Sequence, residues 1–161
     1  MQQSIPAMNS DPSDSAPQLG TEYNPEQLAI ACADSIFAKD QLAQKMGIEI
    51  VSMSPGYAEL RLTIKNWMLN GFASCHGGMI FSFADTAFAY ACNSHNEANV
   101  AMDCRIDFLR PCFEGDQLVA IARELHRGKT SGLYDITIEN QHQKPIARFS
   151  GRSFYVNQSV L

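Results

Sequence analysis

The sequence has no excess of basic residues: 12 Lys and Arg stand against 17 Asp and Glu, a formal charge of −5. Proteins that bind nucleic acid or anionic membranes carry a basic surface, so neither partner is expected. There is no C-x-x-C pair, and the five cysteines (Cys32, Cys75, Cys92, Cys104, Cys112) are odd in number. A disulfide framework or a zinc ribbon therefore has no support. His76, His95, His126 and His142 show no ligand spacing, and no metal site is expected. No apolar run reaches the ~18 residues of a membrane-spanning helix. The most apolar stretch, Gly77 to Cys92, is interrupted by Asp85. The first residues lack the basic start and apolar run of a secretory signal, so a reducing cytoplasm is the expected location.

Proline is scarce beyond the first 25 residues, which hold four of the seven (Pro6, Pro12, Pro17, Pro25) among Ser, Asp, Gln and Asn. Residues 1–25 read as a disordered tail with little to bury. Residues 26–158 read as one domain, with 45% apolar and 18% charged residues in the whole chain. Asn24-Pro25-Glu26-Gln27 supplies a cap, a proline for the first helical position and the capping-box residue. That helix is expected to break near Asp34-Ser35 and to stop at Gly47.

Strands Ile48 to Ser52 and Tyr57 to Ile64 flank Ser54-Pro55-Gly56, a hairpin signal. After a loop from Lys65 to His76, a second helix runs from Gly77 to about Asn93. Val100, Met102, Cys104, Ile106 and Phe108 then alternate with Asp103, Arg105 and Asp107, giving a strand with one apolar face. Gln117–Leu125, Leu133–Glu139 and Ile146–Tyr155 are three further strands, separated by turns at Gly128-Lys129 and Gln143-Lys144-Pro145.

Consecutive strands on short turns favour an antiparallel sheet, and the fold class is α+β. The second helix decides the architecture. At 100° per residue its apolar side chains, from Met79 and Ile80 to Ala91 and Cys92, cover roughly 220° of the circumference, so it is buried rather than laid on a surface. One antiparallel sheet wrapped around one long buried helix is the hotdog fold.

The remaining stripe of that helix carries Gly78, Ser82, Asp85, Thr86, Ala89 and Asn93, with no Lys, Glu or Arg. A solvated stripe would be charged; small polar groups beside one carboxylate look more like the wall of a site, the alternative being a structurally hydrogen-bonded aspartate. Asp85 lies in the third turn, too far in to act as a cap. A carboxylate short of water there is a usable base or nucleophile. At the helix entrance, Ser74-Cys75-His76-Gly77-Gly78 offers free N–H groups to a carbonyl oxygen that becomes negative during acyl transfer. Eight residues separate Gly77 from Asp85, about 12 Å at ~1.5 Å per residue. Reacting atoms must meet within ~3–3.5 Å. Amides and acid must therefore come from two copies of the helix, and an obligate dimer with two shared sites is expected.

Leu69-Asn70-Gly71, Ser74-Cys75-His76-Gly77-Gly78, the run Ala84-Asp85-Thr86-Ala87-Phe88-Ala89-Tyr90-Ala91-Cys92-Asn93-Ser94, Asp107-Phe108-Leu109-Arg110-Pro111 and Gly128-Lys129 resemble the hotdog-fold acyl-CoA thioesterases. The resemblance is to the phenylacetate-degradation group and spans roughly residues 30 to 156. It implies Asp85 as nucleophile or general base, Gly77 as oxyanion donor, Asn70 as a residue placing thioester or water, and His76 as shaping the turn. It also implies coenzyme A along Ala101, Met102, Asp103 and Phe108 and the turn His126-Arg127-Gly128-Lys129-Thr130-Ser131, with Arg110 and Arg152 as further contacts. Coenzyme A is then part of the substrate, and no separate cofactor is implied. The implied substrate is an (aryl)acyl-CoA such as hydroxyphenylacetyl-CoA, and the implied assembly a dimer or dimer of dimers. Some family members carry a hydroxyl residue near the position of Ala101 to hold water; here that role falls to Asn70, to Thr86, or to no residue.

Three other readings fit the chain less well. A cysteine hydrolase would need Cys75 or Cys92 paired with His76 or His126, yet Cys75 and His76 are sequence neighbours. A hydratase or dehydratase on this fold would place its His and acid in a different motif. An appended DNA-binding segment would favour a non-catalytic acyl-CoA sensor, and residues 1–25, acidic and proline-rich, offer no helix-turn-helix candidate. Trp67, Phe72, Phe81 and Phe88 are candidates for an acyl pocket or for the core.

Overall fold

The computed structural model describes residues 23–161, so the expected tail lies outside the described residues except for its last three. Helix α1 spans Pro25–Phe37 and opens on the capping box: Asn24 Oδ1 accepts from Gln27 N at 2.9 Å, and Gln27 Oε1 from Asn24 N at 3.1 Å. The break falls four residues later than expected. Asp34 and Ser35 stay helical, and Asp40 caps α2 (Gln41–Met46) by accepting from Ala43 N at 2.9 Å. Asp40 has the free turn in front of it that a cap needs, and Asp34 does not. Gly47 ends α2 in the left-handed conformation.

Strands β1 (Glu49–Ser54) and β2 (Tyr57–Thr63) form the hairpin, and α3 occupies Gly77–Asn93. Then follow β3 (Asn99–Phe108), β4 (Gln117–Arg127), β5 (Ser131–Asn140) and β6 (Pro145–Tyr155). All neighbours are antiparallel in one six-stranded sheet of order β1-β2-β4-β5-β6-β3. The sheet packs around α3, as the breadth of that helix's apolar surface requires. Phe83, Phe88 and Tyr90 are buried with Leu60, Leu62, Leu118, Ile136, Ile138 and Phe149 from the strands. Each fully buried side chain of this size contributes about 1.5–3 kcal/mol of transfer free energy. Phe88 meets Tyr134 edge-on at 5.4 Å between ring centres, and Phe81 meets Phe149 in the same way. Gly151 makes the approach possible: a Cβ there would stand 2.9 Å from the Phe88 ring.

One expected strand face is corrected. The pairing of β3 with β6 shifts between Ala101 and Asp103, so Met102 is an extra, bulged residue. Cys104, Ile106 and Phe108 stay in phase with Gly151, Phe149 and Ala147, but Val100 falls opposite Phe154 on the other face of the sheet. Period-2 counting cannot register an inserted residue. As the last strand in the sheet order, β3 has no neighbour on its outer side among the described residues.

Both ends of α3 are pinned. At its start His76 N donates to Met68 O and Cys75 N to Cys112 O, each at 2.8 Å. At its end Gly56 N donates to Ser94 Oγ at 2.7 Å and Asn99 N to Asn93 Oδ1 at 2.8 Å. The helix is thus a fixed rod.

Candidate active site

His76 is the N-cap of α3, and its Nδ1 accepts from Gly78 N at 3.0 Å. A ring proton on neutral His76 therefore sits on Nε2. Met79 N and Ile80 N both turn to His76 O. What remains is Gly77: among the described residues its N–H has no protein acceptor. The imidazole removes the competing amide and leaves one donor at the positive end of the helix. That N–H borders a surface depression of about 290 Å³ lined by Cys75, Gly77, Ile80, Phe108, Leu109, Arg110 and Pro111.

The preceding loop is built by Asn70. Its Oδ1 accepts from Phe72 N at 2.8 Å, and its Nδ2 donates to Ser74 Oγ at 3.0 Å. Asn70 thus shapes the turn that carries Gly77, and one Nδ2 hydrogen is left over for a bound group. The same turn lifts Phe72 to 91% exposure. Of the candidate acyl-pocket aromatics, Phe88 is core, Phe81 packs on Phe149, and Phe72 and Trp67 are exposed.

On the polar stripe, Ser82 donates to Gly78 O at 2.9 Å and Thr86 to Ser82 O at 2.8 Å, while Asn93 ties α3 to β3. Asp85 differs from all three. Half-buried in the middle of the rod, its carboxylate meets, among the described residues, only the Cys104 thiol, 3.9 Å from Oδ1. Burial pushes its pKa above the usual carboxylate range, and the Cys104 donor partly offsets that rise. Asp85 is therefore a better base than a solvated aspartate.

The residues implied for coenzyme A fall into two groups. Phe108 and Arg110 stand by Gly77, and Arg110 Nη1 donates to Pro145 O at 2.8 Å. The turn between β4 and β5 lies at the far end of β6, where Thr130 O accepts from Tyr155 N. At ~3.3 Å per residue a strand of this length spans roughly 30 Å, so one chain does not bring Arg110 and the turn together. In the turn Gly128 N donates to Ser131 O at 2.8 Å, and Arg127 pairs with Glu97 at 2.7 Å. Lys129 has no ion-pair partner among the described residues. His126, Ser131, Gly132, Leu133 and Arg152 line a depression of about 270 Å³. Ala101, Met102 and Asp103 are exposed on β3.

Two partnerships escape sequence reasoning. Cys104 counts there only as an apolar strand residue, because its contact with Asp85, 19 residues away, depends on how β3 packs against α3. Glu97 lies in a connection without motif or periodicity.

Comparison with known proteins decides the family. The Thioesterase superfamily model matches residues 72–147. The acyl-coenzyme A thioesterase PaaI of Escherichia coli (strain K12) is 51% identical over 128 residues, 80% of this chain and 91% of that relative. The chain belongs to the thioesterase superfamily. This thioesterase is also similar to a putative esterase of Archaeoglobus fulgidus, 35% identical over 132 residues, 82% of this chain and 86% of the relative. The solved structure of Escherichia coli PaaI superposes with a TM-score of 0.83 at 48% identity, covering 84% of this chain and 99% of that one. A Streptococcus mutans UA159 protein bound to acetyl CoA superposes at 0.68 with 25% identity, covering 70% and 90%. The sheet wrapped around a central helix is the hotdog fold, and the protein is a thioester hydrolase.

Proposed function

We propose that this thioesterase hydrolyses acyl-CoA thioesters, aryl ones such as hydroxyphenylacetyl-CoA among them, to the free acid and coenzyme A, at sites shared by two subunits. One observation carries the reading. Asp85 is the polar stripe residue whose side chain makes no hydrogen bond to its own helix, and it sits about 12 Å by helical rise from the N–H of Gly77, which has no protein acceptor among the described residues. Escherichia coli PaaI bears the name acyl-coenzyme A thioesterase, its structure is described as that of a protein from the phenylacetic acid degradation operon, and the Streptococcus mutans protein holds acetyl CoA. These names support the substrate class. Five free thiols fit the reducing cytoplasm proposed as its location.

In this mechanism the thioester carbonyl oxygen accepts from Gly77 N–H of one subunit. Asp85 of the partner subunit takes a proton from a water that attacks the carbonyl carbon, or attacks that carbon itself. The C–S bond then breaks. Where Asp85 has attacked, a water hydrolyses the resulting mixed anhydride to the free acid once coenzyme A has left. A thiol with a pKa of roughly 8.5 leaves readily as thiolate, so neither a strong general acid nor a separate cofactor is required. Lys129 and Arg152 are proposed to meet the phosphates, since among the described residues neither forms an ion pair. The subunits are proposed to join along β3, whose long outer edge would otherwise leave a row of backbone groups unpaired.

The deciding experiment is a thiol-release screen across aryl, short-chain and long-chain acyl-CoA substrates, with Asp85→Asn as control. Rapid turnover of aryl substrates that is lost in the variant supports the reading. Tight acyl-CoA binding without thiol release by the unmodified protein would show a carrier or sensor instead.

A further inference from the structure

Among the described residues the Asp85 carboxylate has one protein neighbour within hydrogen-bond reach, and that neighbour is unusual. Cys104 sits on β3 just past the Met102 bulge, paired across the sheet with Gly151 and directed toward α3. Its Sγ stands 3.9 Å from Oδ1, and Oδ2 has no partner among the described residues. The thiol thus marks the two carboxylate oxygens as different: one is held from the sheet side, the other is free.

We propose that Cys104 is a positioning residue of the thioesterase reaction, its thiol fixing Oδ1 of Asp85 so that Oδ2 is the oxygen presented to the substrate or to water. The inference rests on Asp85 being the reacting carboxylate. Cys104 itself makes and breaks no covalent bond and keeps its proton throughout. A thiol suits the role better than a hydroxyl or an amide would. Strong donors stabilise the carboxylate anion and lower its basicity, whereas S–H is a weak donor and sulfur a large apolar atom. Cys104 therefore restrains the rotation of the carboxylate while keeping water from one side of it, and basicity is retained.

The ionisable surroundings favour this assignment. Asp103 precedes Cys104 on β3, and its charge acts on the thiol together with that of Asp85. Burial and these charges push Cys104 up to about 11, so it stays a donor wherever Asp85 titrates. Cys92, two turns further along α3, also feels Asp85 and is pushed up to about 12, chiefly by burial. Among the described residues, no charged side chain from α1, β2, β4, β5 or β6 acts on the carboxylate.

The test is the pH profile of kcat/KM on an acyl-CoA substrate for the wild type, Cys104→Ala, Cys104→Ser and Asp85→Asn. Loss of the donor in Cys104→Ala is expected to move the acid limb upward by roughly half to one pH unit, the equivalent of one net hydrogen bond. It should lower kcat more than it changes KM. Cys104→Ser, which keeps a donor, should bring the limb back toward the wild-type position. A Cys104→Ala limb lying on the wild-type curve, with Asp85→Asn inactive, overturns the role of Cys104 and leaves the functional reading standing. If Asp85→Asn stays active, the functional reading falls and the role of Cys104 falls with it. Should Cys104→Ala not fold, infrared spectroscopy decides. The S–H stretching band lost in Cys104→Ser should move to higher frequency in folded Asp85→Asn, and an unmoved band overturns the proposal.

Discussion

The role proposed for Asp85 in the reaction comes at the expense of the fold. Its raised pKa means that the folded state binds the proton more tightly than the unfolded chain does. Stability therefore falls as pH rises from the unfolded carboxylate value through the folded one, and the penalty is complete above the folded pKa. Asp85→Asn should raise the melting temperature at neutral pH, and the gain should vanish in acid, where the wild-type side chain is already protonated. In the same variant thiol release should fall by at least ~10²–10³, comparable to the loss of one oxyanion donor. Thermal melts at two pH values and one activity assay check both parts. Gly77 admits a complementary experiment. A Cβ there would lie 3.2 Å from Phe108 Cζ, and that ring is 53% exposed and free to yield. Gly77→Ala should keep a near-native melting curve yet lose most of its turnover, because the methyl group and the displaced ring crowd the approach to the free N–H.

At the scale of elements, the sequence announces α3 more clearly than anything else. Gly77 and Asn93 are its actual limits, because an apolar surface covering most of a helix has no alternative as a strand. The hairpin and the last three strands are legible for the matching reason, short period-2 runs bounded by turns. The helix break at 38–40 and the phase of Val100 are not legible, since each depends on which of two competing local solutions the tertiary packing selects. The candidate site divides in the same way. A lone acid on an apolar helix and a glycine pair before it are visible as residues. The bonds by which Asn70 and His76 shape the turn are local, to Ser74 and Gly78, whereas the hold of Arg110 on Pro145 O and the contact of Cys104 with Asp85 depend on the packing of segments distant in sequence. Gly151 is a sharp test of how closely α3 lies on β6. Its added Cβ would meet the Phe88 ring at 2.9 Å, and Phe88 is enclosed by Tyr134 and Phe149. Gly151→Ala should destabilise the protein by about 1–3 kcal/mol through overpacking. Chemical denaturation measures it, and an unchanged midpoint would mean that the helix can slide.

For the whole molecule, the proposed shared site makes a prediction that no single-chain enzyme satisfies. Asp85→Asn keeps an intact Gly77, and Gly77→Ala keeps an intact Asp85. Each should be inactive alone. When equal amounts are mixed and allowed to exchange subunits, half the dimers carry one copy of each, and every such dimer holds one complete site of its two. About a quarter of wild-type activity should return, as two-fold pairing requires. Mixed variants that stay silent after exchange, verified by native mass spectrometry, would show that each chain works with its own groups.

The rigidity of α3 then has a physiological corollary. On the proposed shared site, no motion of one chain brings its Gly77 amide and its mid-helix Asp85 together, so catalytic competence would follow mass action: dilution below the dimer dissociation constant should extinguish turnover without unfolding anything, and specific activity should climb with protein concentration until pairing saturates.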